Sequence, residues 1–137
     1  MVVKEAGRVN VSWSATSLTS GRFVPTERSD VAGLIERFDD LRAQGRGYLE
    51  VRGDAAFPVL TLGFAGSAAV VHLITDEDAA SLLAADEPAG TDAEVLVLDD
   101  PVEFTADVVL DLERAWQVLE EFVSTGDARR AGEWREL

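Results

Sequence analysis

Cysteine is absent from the 137 residues, so disulfides and thiolate metal sites are excluded. His72 is the only histidine, which rules out zinc motifs built on paired histidines and leaves one imidazole for acid–base work. No apolar run approaches the roughly 18 residues of a membrane-spanning helix, and Met1-Val2-Val3-Lys4-Glu5 lacks the apolar stretch of a signal peptide. These absences predict a cytoplasmic protein with no membrane partner. The G-x-S-x-G, Walker-type and dinucleotide-binding patterns are also missing, and Gly63-x-x-Gly66 is too short and poorly placed to cradle a phosphate. No catalytic residue, cofactor or metal is expected. One absence is local: no lysine or arginine occurs between Gly53 and Glu113.

That same stretch holds 14 of the 26 acids. The 12 acids outside it equal the 12 basic residues, so the formal charge of −14 belongs to the middle of the chain. A field of one sign speeds association with a basic partner and repels nucleic acid and anionic lipid. The bland reading is that the acids only keep the surface solvated. Length and a hydrophobic content of 47% fit one folded domain over residues 1–137.

Val9, Val11 and Trp13 alternate with polar residues, the period of a half-buried strand. Arg22 to Val24 reads as a short strand ending at Pro25. Val31, Leu34, Ile35, Phe38 and Leu41 form one helical stripe, capped by Thr26 or Ser29 and ended by Gly45 and Gly47. Tyr48–Arg52, Pro58–Phe64 and Ala69–Thr75 are strand-like runs joined by short turns, which predicts an antiparallel meander. Residues 76–93 read as an acidic loop with one helical turn around Ser81–Ala85. Glu94–Leu98 and Val102–Thr105 form a hairpin about Asp99-Asp100-Pro101. A second helix starts at Asp111, buries Leu112, Ala115, Trp116, Leu119, Phe122 and Val123, and ends at Gly126. Glu133–Leu137 is a last strand with Trp134 buried. The fold class is α+β: a mainly antiparallel sheet packed with two principal helices.

Several constellations have a chemical and a structural reading. His72 sits within a strand, where a structural hydrogen-bonding role outweighs catalysis in the absence of a nucleophile motif. Asp76-Glu77-Asp78 suggests a cation loop, yet the sixth position is Ser81 rather than glycine, although Glu87 occupies the twelfth. A solvated loop is the better reading. Arg129-Arg130 is far below a nucleic-acid footprint, and the net charge opposes direct nucleic-acid binding. Core packing is the default for Trp13, Trp116 and Trp134.

Glu121-Phe122-Val123-Ser124-Thr125-Gly126-Asp127, followed by Glu133-Trp134, resembles the C-terminal signature of the first-numbered Imm family of bacterial immunity proteins. Val24-Pro25-Thr26 leading to Val31-x-x-Leu34-Ile35 resembles that family's approach to its first helix. Leu60-Thr61-Leu62-Gly63 and Val70-Val71-His72-Leu73 resemble its central hairpin. Where many members have a proline after Thr-Gly and an apolar residue before the tryptophan, this chain has Ala128 to Glu133, which leaves the path of the last strand open. The resemblance implies an antitoxin that binds a cognate secreted toxin, of a kind often nucleic-acid-active, with deaminase-fold enzymes prominent. A basic toxin cleft and an acidic inhibitor are complementary. The acids expected to face the toxin are Asp76, Glu77, Asp78, Asp86, Glu87, Asp99 and Asp100. The alternatives are a generic acidic interaction module with no toxin partner, and a small enzyme using His72 or a metal held by acids 76–87.

Overall fold

Trp13 and Ala15 point from strand β1 (Ser12–Thr16) into the core, as their period-2 spacing requires. A computed structural model describes residues 11–85 and 91–137, so Val9, Asp86 and Glu87 lie outside the described residues. β1 lies between β2 (Phe23–Arg28) and β3 (Arg46–Arg52), antiparallel to both. β2 does not stop at Pro25. It is an edge strand whose register with β1 slips between Trp13 and Ala15, and an edge position tolerates the missing N–H of proline.

The meander follows as expected: β3, β4 (Val59–Ala65) and β5 (Ala68–Asp76) pair antiparallel in sequence order. The helical turn expected near Ser81 is instead strand β6 (Ala79–Leu83), paired with the outer half of β5. Alanine and leucine favour helix locally, but a five-residue segment has too few turns to nucleate one. The two-residue Glu77-Asp78 turn delivers it to the free edge of β5 instead. β10 (Trp134–Glu136) then adds beyond β6, giving the order β10-β6-β5-β4-β3-β1-β2. β9 (Leu110–Asp111) occupies the part of β5 that β6 leaves unpaired.

Both helices cover one face of this sheet. In α1 (Val31–Gln44) the buried stripe is Leu34, Phe38 and Leu41, while Ile35 is exposed at the edge of the stripe. Its N-cap is Asp30, not Thr26 or Ser29, because β2 carries the chain through Thr26 to Arg28. Asp30 makes no side-chain capping bond; its carbonyl accepts the Trp13 indole N–H at 2.8 Å. α2 (Leu112–Thr125) starts as expected, with the Asp111 carboxylate accepting the Glu113 N–H at 3.2 Å. Phe38 and Trp116 stack face to face at 4.0 Å and tie the helices together, and the Phe64 ring meets Phe38 edge-on from the sheet. Each helix ends on a glycine in the left-handed region, Gly45 at φ 95° and Gly126 at φ 76°.

A third layer lies on the opposite face of the sheet. β7 (Ala93–Val97) and β8 (Asp100–Phe104) form a separate two-stranded ribbon. Its turn is Leu98-Asp99, so Asp100 and Pro101 belong to β8 rather than to the turn. Val95, Val70, Leu82, Val108 and Val109 form a small buried cluster beneath it, distinct from the main core. The described residues thus form a single α+β body of three layers: helices, sheet and ribbon.

Candidate functional site

The ribbon crosses the strands rather than following them. At one end the Phe104 ring meets the His72 ring of β5 edge-on, with centroids 5.7 Å apart. In the middle the Leu96 carbonyl lies over Gly63 of β4, so close that a Cβ on that glycine would come within 2.0 Å of the oxygen. At the far end an Asp99 oxygen accepts the N–H of Phe23 in β2 at 2.5 Å. Gly63 is therefore required by the close approach of two backbones, which explains why it fits no phosphate loop.

This crossing covers one half of the second sheet face and leaves the other half open. Strand alternation places Ser12, Ser14, Glu50, Arg52, Val59 and Thr61 on that face. Near the free ends of β1, β2 and β3, Ser12, Ser14, Glu50, Arg52 and Val59 line a cavity of 420 Å³ together with Glu27, Val51, Ala56 and Phe57; Thr61 is buried and does not line it. Arg52 donates to both Glu27 oxygens, and its remaining nitrogen donates to the carbonyls of Gly53 and Ala55. Tyr48 donates its hydroxyl to Glu50 at 2.9 Å. Burial, reinforced by the Glu50 charge, pushes the Tyr48 pKa well above its usual value, so the phenol stays protonated and remains a donor.

The acids singled out in the sequence do not form one cluster. Asp76, Glu77 and Asp78 make the β5–β6 turn, where an Asp76 oxygen accepts the Asp78 N–H at 2.7 Å. Asp99 and Asp100 lie at the ribbon tip over β2. The strand registers put Phe23 level with Val70, and Asp76 lies six residues further along β5, about 20 Å away at the usual rise per residue. The two groups thus stand at diagonal corners of the second face, with the open half between them. Among the described residues no group of three or more His, Cys, Asp or Glu converges in a metal-binding arrangement.

His72 differs from its expected hydrogen-bonding role. Among the described residues its ring makes no side-chain hydrogen bond; it packs against Phe104, and burial lowers its pKa. The cavity escaped sequence reasoning because its residues come from β1, β2, β3, the 53–58 loop and the first residue of β4. The only available signal was the hydrophilic phase of the strand alternation, Ser12 and Ser14 against Trp13.

The C-terminal signature has a structural explanation. Phe122 is buried, and Thr125 donates its hydroxyl to the Glu121 carbonyl while accepting the Asp127 N–H. Gly126 ends α2, and the unusual stretch after it makes a 3-10 turn, Arg129–Ala131, before β10. Trp134 is half-buried and donates its indole N–H to the Ala128 carbonyl at 3.0 Å, which fixes the path of the last strand. Arg129 pairs with Asp127 and holds its carboxyl down at about 2.

No helix of the described residues is long and apolar enough to cross a membrane. Comparison with curated proteins gives no match. The family model described as immunity protein Imm1 matches residues 21–136, from the residues before β2 to the end of β10. With both helices, the meander, the ribbon and the Thr-Gly-to-tryptophan turn all inside that match, the chain belongs to the Imm1 immunity protein family, which implies a role in toxin neutralisation.

Proposed function

We propose that this chain neutralises its toxin by tight one-to-one binding, without catalysis, and that the toxin is a nucleic-acid-active enzyme, such as one with a deaminase fold. The toxin's basic substrate cleft would lie on the second sheet face, between the Asp76–Asp78 turn and the Asp99-Asp100 tip. Inhibition is then steric and electrostatic: the body of the ribbon blocks the cleft, and carboxylates take the place of substrate phosphates.

The observation that carries this reading is the placement of charge. The ribbon and the β5–β6 turn carry Asp76, Glu77, Asp78, Glu94, Asp99, Asp100 and Glu103, with no basic residue among them. Several arginines elsewhere are already engaged: Arg42 with Glu113, Arg52 with Glu27, Arg129 with Asp127, and Arg135 with Asp107. Exposed acids of this kind act mainly on the association rate, which falls steeply with salt.

The test is co-expression with the toxin-like domain encoded beside the gene, followed by size exclusion and an assay of toxin activity. A one-to-one peak with lost activity is the expected result. Separate peaks and an active toxin would sink the pairing and return the acids to simple solvation. Charge reversal of Asp76, Glu77, Asp78, Asp86, Glu87, Asp99 and Asp100 together should then slow association. Unchanged affinity and on-rate would refute the electrostatic part alone.

A further inference from the structure

The open cavity on the second face contains polar groups whose bonding is incomplete. Glu50 is half-buried, and one of its oxygens accepts the Tyr48 hydroxyl. The nearest cation in sequence on the same face, Arg52, does not serve it, because its guanidinium is committed to Glu27 and to two loop carbonyls. Glu50 therefore has no counter-ion among the described residues, so a cation entering the cavity would meet a carboxylate that no other cation occupies. Ser14 is only 6% exposed and lines the same cavity, yet its hydroxyl makes no hydrogen bond among the described residues. Ser12 stands one pleat further along the same face. Phe57 supplies an apolar wall.

We propose that this cavity is the receptor for one arginine side chain of the toxin, its guanidinium bonded to Glu50 and the Ser12 and Ser14 hydroxyls and packed on Phe57. This rests on the immunity reading and gives it a specific anchor. A guanidinium matches the site because it presents several N–H donors in one plane and stacks favourably on an aromatic ring. A lysine ammonium would satisfy Glu50 but is a compact point charge that gains less from the ring. The volume of 420 Å³ falls within the range of about 300–1,000 Å³ usual for ligand pockets, enough for the side chain and part of its flanking backbone. Carboxylates at the rim of the face steer the toxin in, whereas this recessed one holds it, so the two groups should have different kinetic signatures.

The experiment compares the toxin affinity of the wild-type chain with that of Glu50→Gln, Ser14→Ala and, as a rim control, Glu103→Gln. Glu50→Gln should weaken binding by about tenfold or more, chiefly through a faster off-rate, while Glu103→Gln should change mainly the on-rate. Thermal midpoints show whether each variant is folded. A folded Glu50→Gln protein that binds with wild-type affinity would overturn the arginine receptor and leave the immunity reading intact. If the wild type fails to bind, the immunity reading itself falls. The cavity is also tested without the toxin, by titrating N-acetyl-arginine amide into the labelled protein. Saturable amide shifts at Ser14 and Glu50, absent with the citrulline analogue and lost in Glu50→Gln, are expected. Equal responses to arginine and citrulline would refute recognition of the charge.

Discussion

Replacing Gly63 with alanine tests the three-layer architecture at its tightest point. The added Cβ would sit 2.0 Å from the Leu96 carbonyl oxygen, and contacts under 3.0 Å are essentially never seen for real Cβ atoms. Both partners are backbone, in β4 and β7, so no side-chain rotation can relieve the clash. The ribbon must lift by at least the missing 1 Å, or β4 must bend into the helix-side core. Either movement loosens the cluster of Val70, Leu82, Val95, Val108 and Val109. Overpacking of this kind costs about 1–3 kcal/mol, and dispersion lost across a thin layer pushes the value toward the upper end. The expected destabilisation is about 2–3 kcal/mol, or a fall in Tm of about 6–12 °C for a chain of this length. Urea unfolding followed by tryptophan fluorescence measures it. A change below about 0.5 kcal/mol would refute the close approach of ribbon and sheet. A glycine chosen only for strand flexibility would instead be stabilised by alanine, so even the sign is diagnostic.

Phe38→Ala removes the ring that bridges Trp116 and Phe64 in a site with almost no exposure, and should cost about 3–5 kcal/mol in the same urea assay. Trp134→Phe deletes the indole bond to the Ala128 carbonyl and should cost about 1 kcal/mol; an unchanged midpoint would show that this bond does not hold β10 in place. Burial lowers the pKa of His72 from 6.5, so between its folded value and 6.5 the unfolded chain binds the extra proton. Stability should therefore fall as the pH drops from 7.5 to 5.5, and His72→Phe should flatten that slope. Asp107 and Asp127, whose values are lowered from 3.8, contribute only at more acidic pH and do not obscure this window. An equal slope in both proteins would place the titrating group elsewhere.

The helix side of the sheet was readable in the sequence because burial there enforces a period. Leu34, Phe38 and Leu41 repeat at helical spacing, Leu49 and Val51 at strand spacing, and all five are buried in one core. The misread elements are those whose environment is set by distant residues. β6 has the composition of a helical turn, yet its partners are β5 and β10, the latter more than 50 residues away in sequence. Pro25 looks like a terminator and is tolerated only because β2 is an edge. The capping residue of α1, Asp30, is not legible in the sequence because the bulged path of β2 decides where the helix begins. Acid positions were legible as a window in the sequence, but not their separation onto two corners, which depends on the oblique crossing of the ribbon.

The residues that reveal the family and those that would select its partner lie on different sides of the sheet. Phe122 fills the helix-side core, Gly126 takes a backbone conformation that other residues rarely adopt, and Trp134 is bonded into the turn that sets the last strand. Changing any of these alters the scaffold, so they are poorly suited to encoding the choice of toxin. Ser12, Ser14 and Glu50 carry a lighter burden: the two hydroxyls bond nothing among the described residues, and Glu50 accepts one bond, from the Tyr48 hydroxyl, which a glutamine can also accept. Strand alternation couples the two sets at one-residue spacing, with Trp13 pointing to the core between Ser12 and Ser14. Binding residues can therefore vary on one pleat while the fold is held by the next. For that reason Ser14→Ala and Glu50→Gln, the latter keeping an acceptor for Tyr48, should separate affinity from stability, whereas substitutions at Trp13 or Phe122 should reduce both together.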